Sequence, residues 1–158
     1  MIVLVSACLL GINCRYDGRN SRVDLHKLKQ GDSCLVPVCP EQLGGLPTPR
    51  QASRIVGGDG FDVLIGKARV LNSEGKDVTE NFISGAYETL SIAMMLGVDL
   101  CYFKNESPSC GLRLFDPETQ KRSSIGVVAA LLLQKSFKIQ EVKAKAKPRR
   151  ISKSNFEC

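Results

Sequence analysis

IVLVSACLLG, residues 2–11, admits two readings, and the fold depends on the choice between them. As an export segment it would be a short apolar leader, with VSAC resembling a lipoprotein cleavage box. No basic residue precedes it, and too few residues stand before Cys8 to form the apolar region of a signal. As structure, Ile2 to Ala7 is an apolar, β-branched run with Gly11 close behind, which is the pattern of a buried strand. We adopt the second reading. No apolar run in the chain approaches a membrane span, so the protein is expected to be cytoplasmic and without membrane contact.

Two further runs repeat the pattern outward from this strand. CLVPV (34–38) is the second, with Pro37 placing it at a strand end or sheet edge. VDLCYFK (98–104) is the third. Between the first two, Val23, Leu25 and Leu28 allow a short helix. Gly57, Gly58 and Gly60 open a loop, after which 62–65 and 68–71 read as hairpin strands before the polar turn NSEGKD. The clearest helix has Thr79 as its N-cap and Gly97 at its stop. Phe82, Ile83, Ala86, Leu90, Ala93, Met94 and Leu96 form its apolar stripe, and Met94 and Met95 are read as core filler. A second apolar helix is expected over 127–134 and a last strand over 137–142. Strands alternating with helices predict an α/β fold. The expectation is a single Rossmann-like domain over 1–142, with a mostly parallel sheet, helices on both faces and a small β-hairpin excursion.

The 158 residues carry a formal charge of +6, which at first suggests an acidic partner. Its location removes the suggestion. Lys143, Lys145, Lys147, Arg149, Arg150 and Lys153 supply six positive charges near the end, and without them 16 basic residues balance 16 acidic ones. Residues 143–158 are therefore expected to be a basic, flexible tail, and nucleic acid is not an expected partner.

Seven cysteines in a reducing compartment favour metal binding or catalysis over a disulfide framework. Cys8 follows the first strand, Cys39 the second, and Cys110, in NESPSCG, lies just beyond the third. Carboxyl ends of parallel strands share one edge of a sheet, where ligand sites gather. Zinc sites usually pair their ligands closely, as in C-x-x-C, and no such pair occurs here. Separated single cysteines suit an iron–sulfur cluster better. Spacing alone leaves a cluster, zinc and buried inert thiols all open.

Five motifs occur in order: SACLLG-x-x-CRYDG (6–18), VCPE-x-LGGLPTPR (38–50), DVT-x-x-F-x-x-GA (77–86), SPSCG (107–111) and GV-x-AALL (126–132). Together they resemble the thiouracil desulfidase family, over roughly residues 2–142. The resemblance implies an enzyme that takes sulfur from a thiolated pyrimidine, 2-thiouracil going to uracil, with a 4Fe-4S cluster held by three cysteines. Carried over by motif, the ligands are Cys8, Cys39 and Cys110, with the fourth iron left for the substrate sulfur. Glu41 and Ser107 match the acid–base pair. The implied partners are a small thiolated base and iron–sulfur assembly proteins. LRLFDPETQKRSSIG, after SPSCG, departs from the family, which has a tyrosine–aspartate–glycine segment there. A different thiolated base, a thionucleotide or another small thioamide is therefore also open as the substrate.

Cys14 is the alternative ligand, since it lies inside the first motif. Cys34 and Cys101 fall within strands and are read as core, and Cys158 as an exposed terminal thiol. Arg15, Tyr16, Thr48, Arg50 and Ser109 are candidate substrate contacts. For Arg15 with Asp17, a salt bridge holding a turn is the competing reading. His26, the single histidine, sits in a polar stretch and receives no role. Two other functions compete: a metal-free persulfide sulfurtransferase with Cys110 as nucleophile, and an RNA-binding module using the tail.

Overall fold

The computed structural model describes residues 1–28, 31–116 and 121–149. Its centre is a four-stranded parallel sheet in the order β2-β1-β5-β8, built from β1 (Ile2–Ser6), β2 (Cys34–Val38), β5 (Leu100–Lys104) and β8 (Ile139–Val142). β1 is interior, and Val3, Leu4 and Val5 are wholly buried on both of its faces. That explains its unbroken apolar run. β2 is an edge strand, which tolerates Pro37 because one row of its backbone groups has no ladder to join. The chain goes from β1 to β2 on one side and later to β5 on the other. The direction of winding thus reverses between β1 and β5, the place where a crevice opens at the strands' carboxyl ends.

Leu4, Val38, Cys101 and Phe103 face a core made with α3 (Thr79–Leu96) and α4 (Val127–Gln134). The short helices α1 (Pro40–Leu43) and α2 (Gly60–Leu64) join the same layer, α1 against α3 and α2 against α4. Val3, Val5 and Tyr102 point the other way, onto Leu9, Cys14 and Leu28. Where helices were expected on both faces, this second face is covered by 3-10 turns (Ala7–Leu10 and Leu25–Lys27) and irregular chain. Residues 9–33 carry too few periodic apolar positions to build an amphipathic helix.

Three local expectations are corrected. Residues 62–65 do not form a strand. Asp59 accepts bonds from the backbone N–H groups of Phe61 and Asp62, while the Asp62 carboxylate accepts one from the Asp59 N–H, and this capping box starts α2 instead. The hairpin partner of β4 (Arg69–Asn72) is β3 (Ser53–Val56). Met94 and Met95 are 65% and 81% exposed, because the helical period turns them away from the face that buries Ala86, Leu90 and Ala93. Thr79 is the first helical residue, not the cap. Its hydroxyl accepts from the Val70 N–H and donates to Asp77, which ties α3 to β4. A second hairpin joins β6 (Leu114–Asp116) to β7 (Lys121–Ser124). Pro117, in the segment that departs from the family, lies outside the described residues, as does Cys158.

α1 is held against α3 by backbone contact. A Cβ at Gly44 would strike the carbonyl oxygen of Asn81, and one at Gly85 would strike that of Pro40. The Asn81 side-chain amide also donates to the Gly44 carbonyl at 2.8 Å. Gly85→Ala is expected to lower stability by about 3 kcal/mol, as overpacking of a tight core does. Urea unfolding monitored by circular dichroism would measure the loss.

Candidate metal and active site

The carboxyl ends of β2, β1 and β5 open into a cavity of about 790 Å³. It receives Cys8, Cys14, Cys39 and Cys110, with Glu41, Arg50, Arg15, Tyr16, Ser107 and Ser109. Each group arrives by a local device. Cys8 lies in the 3-10 turn that β1 runs into, and Gly11, at φ 95°, ends that turn in the left-handed region where glycine is favoured. Cys39 is the extended residue before α1, with Pro40 at the first helical position and Glu41 on the first turn. Cys110 sits in a loop whose carbonyls meet the start of α4. The N–H groups of Val127 and Val128 donate to Pro108 and Ser109 at 3.0 and 3.1 Å. A Cβ at Gly126 would collide with the Ser109 carbonyl, which accounts for the glycine that opens GV-x-AALL.

The thiols are not equivalent. Cys14 is hydrogen-bonded to both Cys39 and Cys8, and it is raised far because it holds its proton between them. The same bond brings Cys39 down to about 7, helped by the Gln42 N–H against the opposing effect of burial. Cys8 is lowered as well, again chiefly through Cys14. Cys110, 5% exposed, is pushed up by burial. A buried, protonated thiol is a poor nucleophile, which weighs against Cys110 as a persulfide carrier. Among the described residues no three Cys, His, Asp or Glu side chains are grouped to hold a single metal ion. The thiols instead surround a hollow.

The remaining cysteines stand apart. Cys101 is wholly buried, and burial raises its thiol to about 12. Cys34, expected in the core, is exposed because it begins the edge strand.

Glu41 and Arg50 form an ion pair of 2.6 Å between side chains that are 14% and 6% exposed. Arg50 is fixed on its other sides by the carbonyls of Cys14 and Pro47 and by the Thr48 hydroxyl, at 3.0, 3.2 and 3.1 Å. Thr48 does not line the cavity. It braces Arg50 and also accepts from Gln42. Arg15 does both things considered for it: it bonds Asp17 and Ser21, and it lines the cavity beside Tyr16. Tyr16 is 42% exposed and stands at the rim. His26 lies in a 3-10 turn away from the site. The Ser107 hydroxyl oxygen accepts from the N–H groups of Ser109 and Cys110, at 3.2 and 3.1 Å, so it shapes the loop that carries Cys110.

Two contributors were missed in the sequence. Lys104, 8% exposed at the end of β5, lines the cavity, and its ammonium donates to the Asn105 carbonyl and side chain at 2.7 Å each. Burial lowers its proton affinity. A charged residue closing a buried strand was the available signal. The other is the stretch from Lys143 to Pro148, read as the start of the tail. Lys143 to Ala146 line the cavity, and Ala144 packs in the second core. Asn20, 1% exposed, exchanges backbone bonds with Lys147, and its amide donates to the Pro148 carbonyl at 3.2 Å. The alternation KAKAK, a strand's period of two, was the signal for this strap. Asn20→Ala is expected to speed tryptic cleavage after Lys143 and Lys145 about tenfold or more, since a buried bonding centre is lost. Peptide mass analysis over time would read it.

Comparison with known proteins gives three findings. The family model described as 2-thiouracil desulfurase matches residues 3–143. The uncharacterised protein YbbK of Bacillus subtilis (strain 168) is 39% identical over 141 residues, which cover 87% of this chain and 93% of that one. A solved structure of the 4Fe-4S-dependent thiouracil desulfidase TudS (DUF523Vcz) superposes with a TM-score of 0.73. Its identity is 32%, over 88% of this chain and 89% of that one. No helix among the described residues is long and apolar enough to cross a membrane.

Proposed function

The chain belongs to the 2-thiouracil desulfurase family, and from that premise we propose that it hydrolyses the carbon–sulfur bond of a thiolated pyrimidine or related small thioamide without net redox change. The cofactor is a 4Fe-4S cluster held by Cys8, Cys39 and Cys110. The single observation that carries the reading is the convergence of these thiols on one cavity that also contains a carboxylate and a serine. The donor set fits the group: thiolates are the ligands such clusters take, and Cys8 and Cys39 are shifted toward that form. Lys104, Arg15 and Arg50 line the same hollow and oppose the negative charge of a thiolate-bound cluster. When bound, the cluster supplies a Lewis-acidic iron with a position free for the substrate sulfur.

The protein's own groups do the rest. Glu41 takes a proton from the water that attacks the ring carbon. Arg50 holds the Glu41 carboxylate in place through the 2.6 Å ion pair and is itself held by three further acceptors, so the base has little freedom to swing away. Ser107 accepts two loop N–H groups, which leaves its O–H to donate to the ring nitrogen beside the carbon under attack, while the sulfur departs as sulfide. Tyr16 at the rim offers a ring face for a flat heterocycle. Cys14 lines the same cavity, and its contacts with Cys39 and Cys8 push its thiol up.

The test is anaerobic reconstitution of the full chain with ferrous iron and sulfide, followed by incubation with 2-thiouracil. Uracil and sulfide should appear in equal amounts, and only with the iron-loaded protein. Equal turnover by iron-free protein would favour the persulfide mechanism and overturn this one.

A further inference from the structure

Ser109 lines the cavity next to Cys110, yet its hydroxyl is a buried polar atom with no hydrogen-bond partner. The residue is 1% exposed, so bulk water does not supply the missing bond. Its backbone cannot move to find one. The N–H donates to the Ser107 hydroxyl, and the carbonyl accepts from Val128 and Ala129 at 3.1 and 3.3 Å and rests against Gly126. An unpaired buried hydroxyl destabilises a fold unless something present in the working protein completes it. Depth says what that is. Ser109 and Cys110, 1% and 5% exposed, lie at the floor of the cavity, whereas Tyr16 marks the rim that a substrate enters.

We infer that the Ser109 hydroxyl donates a hydrogen bond to a sulfur of the iron–sulfur group bound at Cys110, and that Ser109 is a positioning residue for that cofactor. The inference rests on the cluster reading above and adds a residue to it. Hydrogen bonds to the sulfurs of a cluster favour its more negative, reduced form and so raise its reduction potential. They also slow its loss, because charge-assisted bonds are the stronger kind.

Ser109→Ala separates the two states of the protein. Without iron, the variant is expected to withstand urea at least as well as the parent, since it loses only an unsatisfied group. Loaded anaerobically with iron and sulfide, it is expected to surrender iron to a chelator about tenfold faster and to show a more negative reduction potential. Unchanged iron retention and potential in Ser109→Ala would overturn the inference while leaving the cluster reading intact. So would a raised KM for the thiolated base with both quantities unchanged, which would give the hydroxyl to the substrate. A parent chain that takes up no iron would overturn the cluster reading and this inference with it.

Discussion

Cys39→Ala is expected to lower iron retention after anaerobic reconstitution by more than about 100-fold, beyond the 10–100-fold that follows loss of a partner outside the ligand sphere. The thiol sits at the start of α1, in contact with Cys14 and beside Glu41. Two companions make the result specific. Cys34→Ser alters an exposed thiol at the sheet edge and should leave bound iron unchanged. Cys14→Ser replaces the sulfur between Cys8 and Cys39 by a hydroxyl that still donates, and should cost at most about tenfold, as an outer-shell change does. Iron and acid-labile sulfide assays on the three variants decide the matter. A collapse of iron content in Cys14→Ser equal to that in Cys39→Ala would move Cys14 into the ligand set.

Glu41→Gln is expected to lower kcat by about 10²–10⁴, the usual contribution of a general base, with iron content intact. Glutamine is the sharper variant because it preserves the shape that meets Arg50, whose guanidinium retains its bonds to Cys14, Pro47 and Thr48. Glu41→Ala should lose turnover as fully, but it leaves a space beside a side chain that is 6% exposed. Visible absorption and single-turnover uracil formation on the same sample separate the effects. If the visible bands vanish along with turnover, Glu41 is supporting the metal site instead of the proton transfer.

The central part of the site was legible because it depends on strand order and on little else. Apolar runs ending in Cys8 and Cys39, and a third run shortly before Cys110, place thiols at one sheet edge in any parallel arrangement of those strands. What remained hidden depends on how loops turn back. Arg50 meets Glu41 only because the segment from Gly44 to Pro49 folds over α1, and nothing in LGGLPTPR specifies that approach. DVLI had a strand's composition, and the capping box around Asp59 and Asp62 overrode it. Met94 and Met95 stand beside the stripe of Phe82, Ala86, Leu90 and Ala93, not on it, and face solvent. An apolar stripe read too wide at its end took in two residues that the 3.6-residue period turns outward.

The course of residues 143–148 bears on how the protein should be cut. Composition invites truncation after Val142, where lysine enrichment begins. Such a shortened polypeptide would lack one wall of the reaction chamber, and Asn20 would be left facing an empty groove. An engineer who wants to remove basic residues or attach a purification handle should leave everything through Arg149 in place.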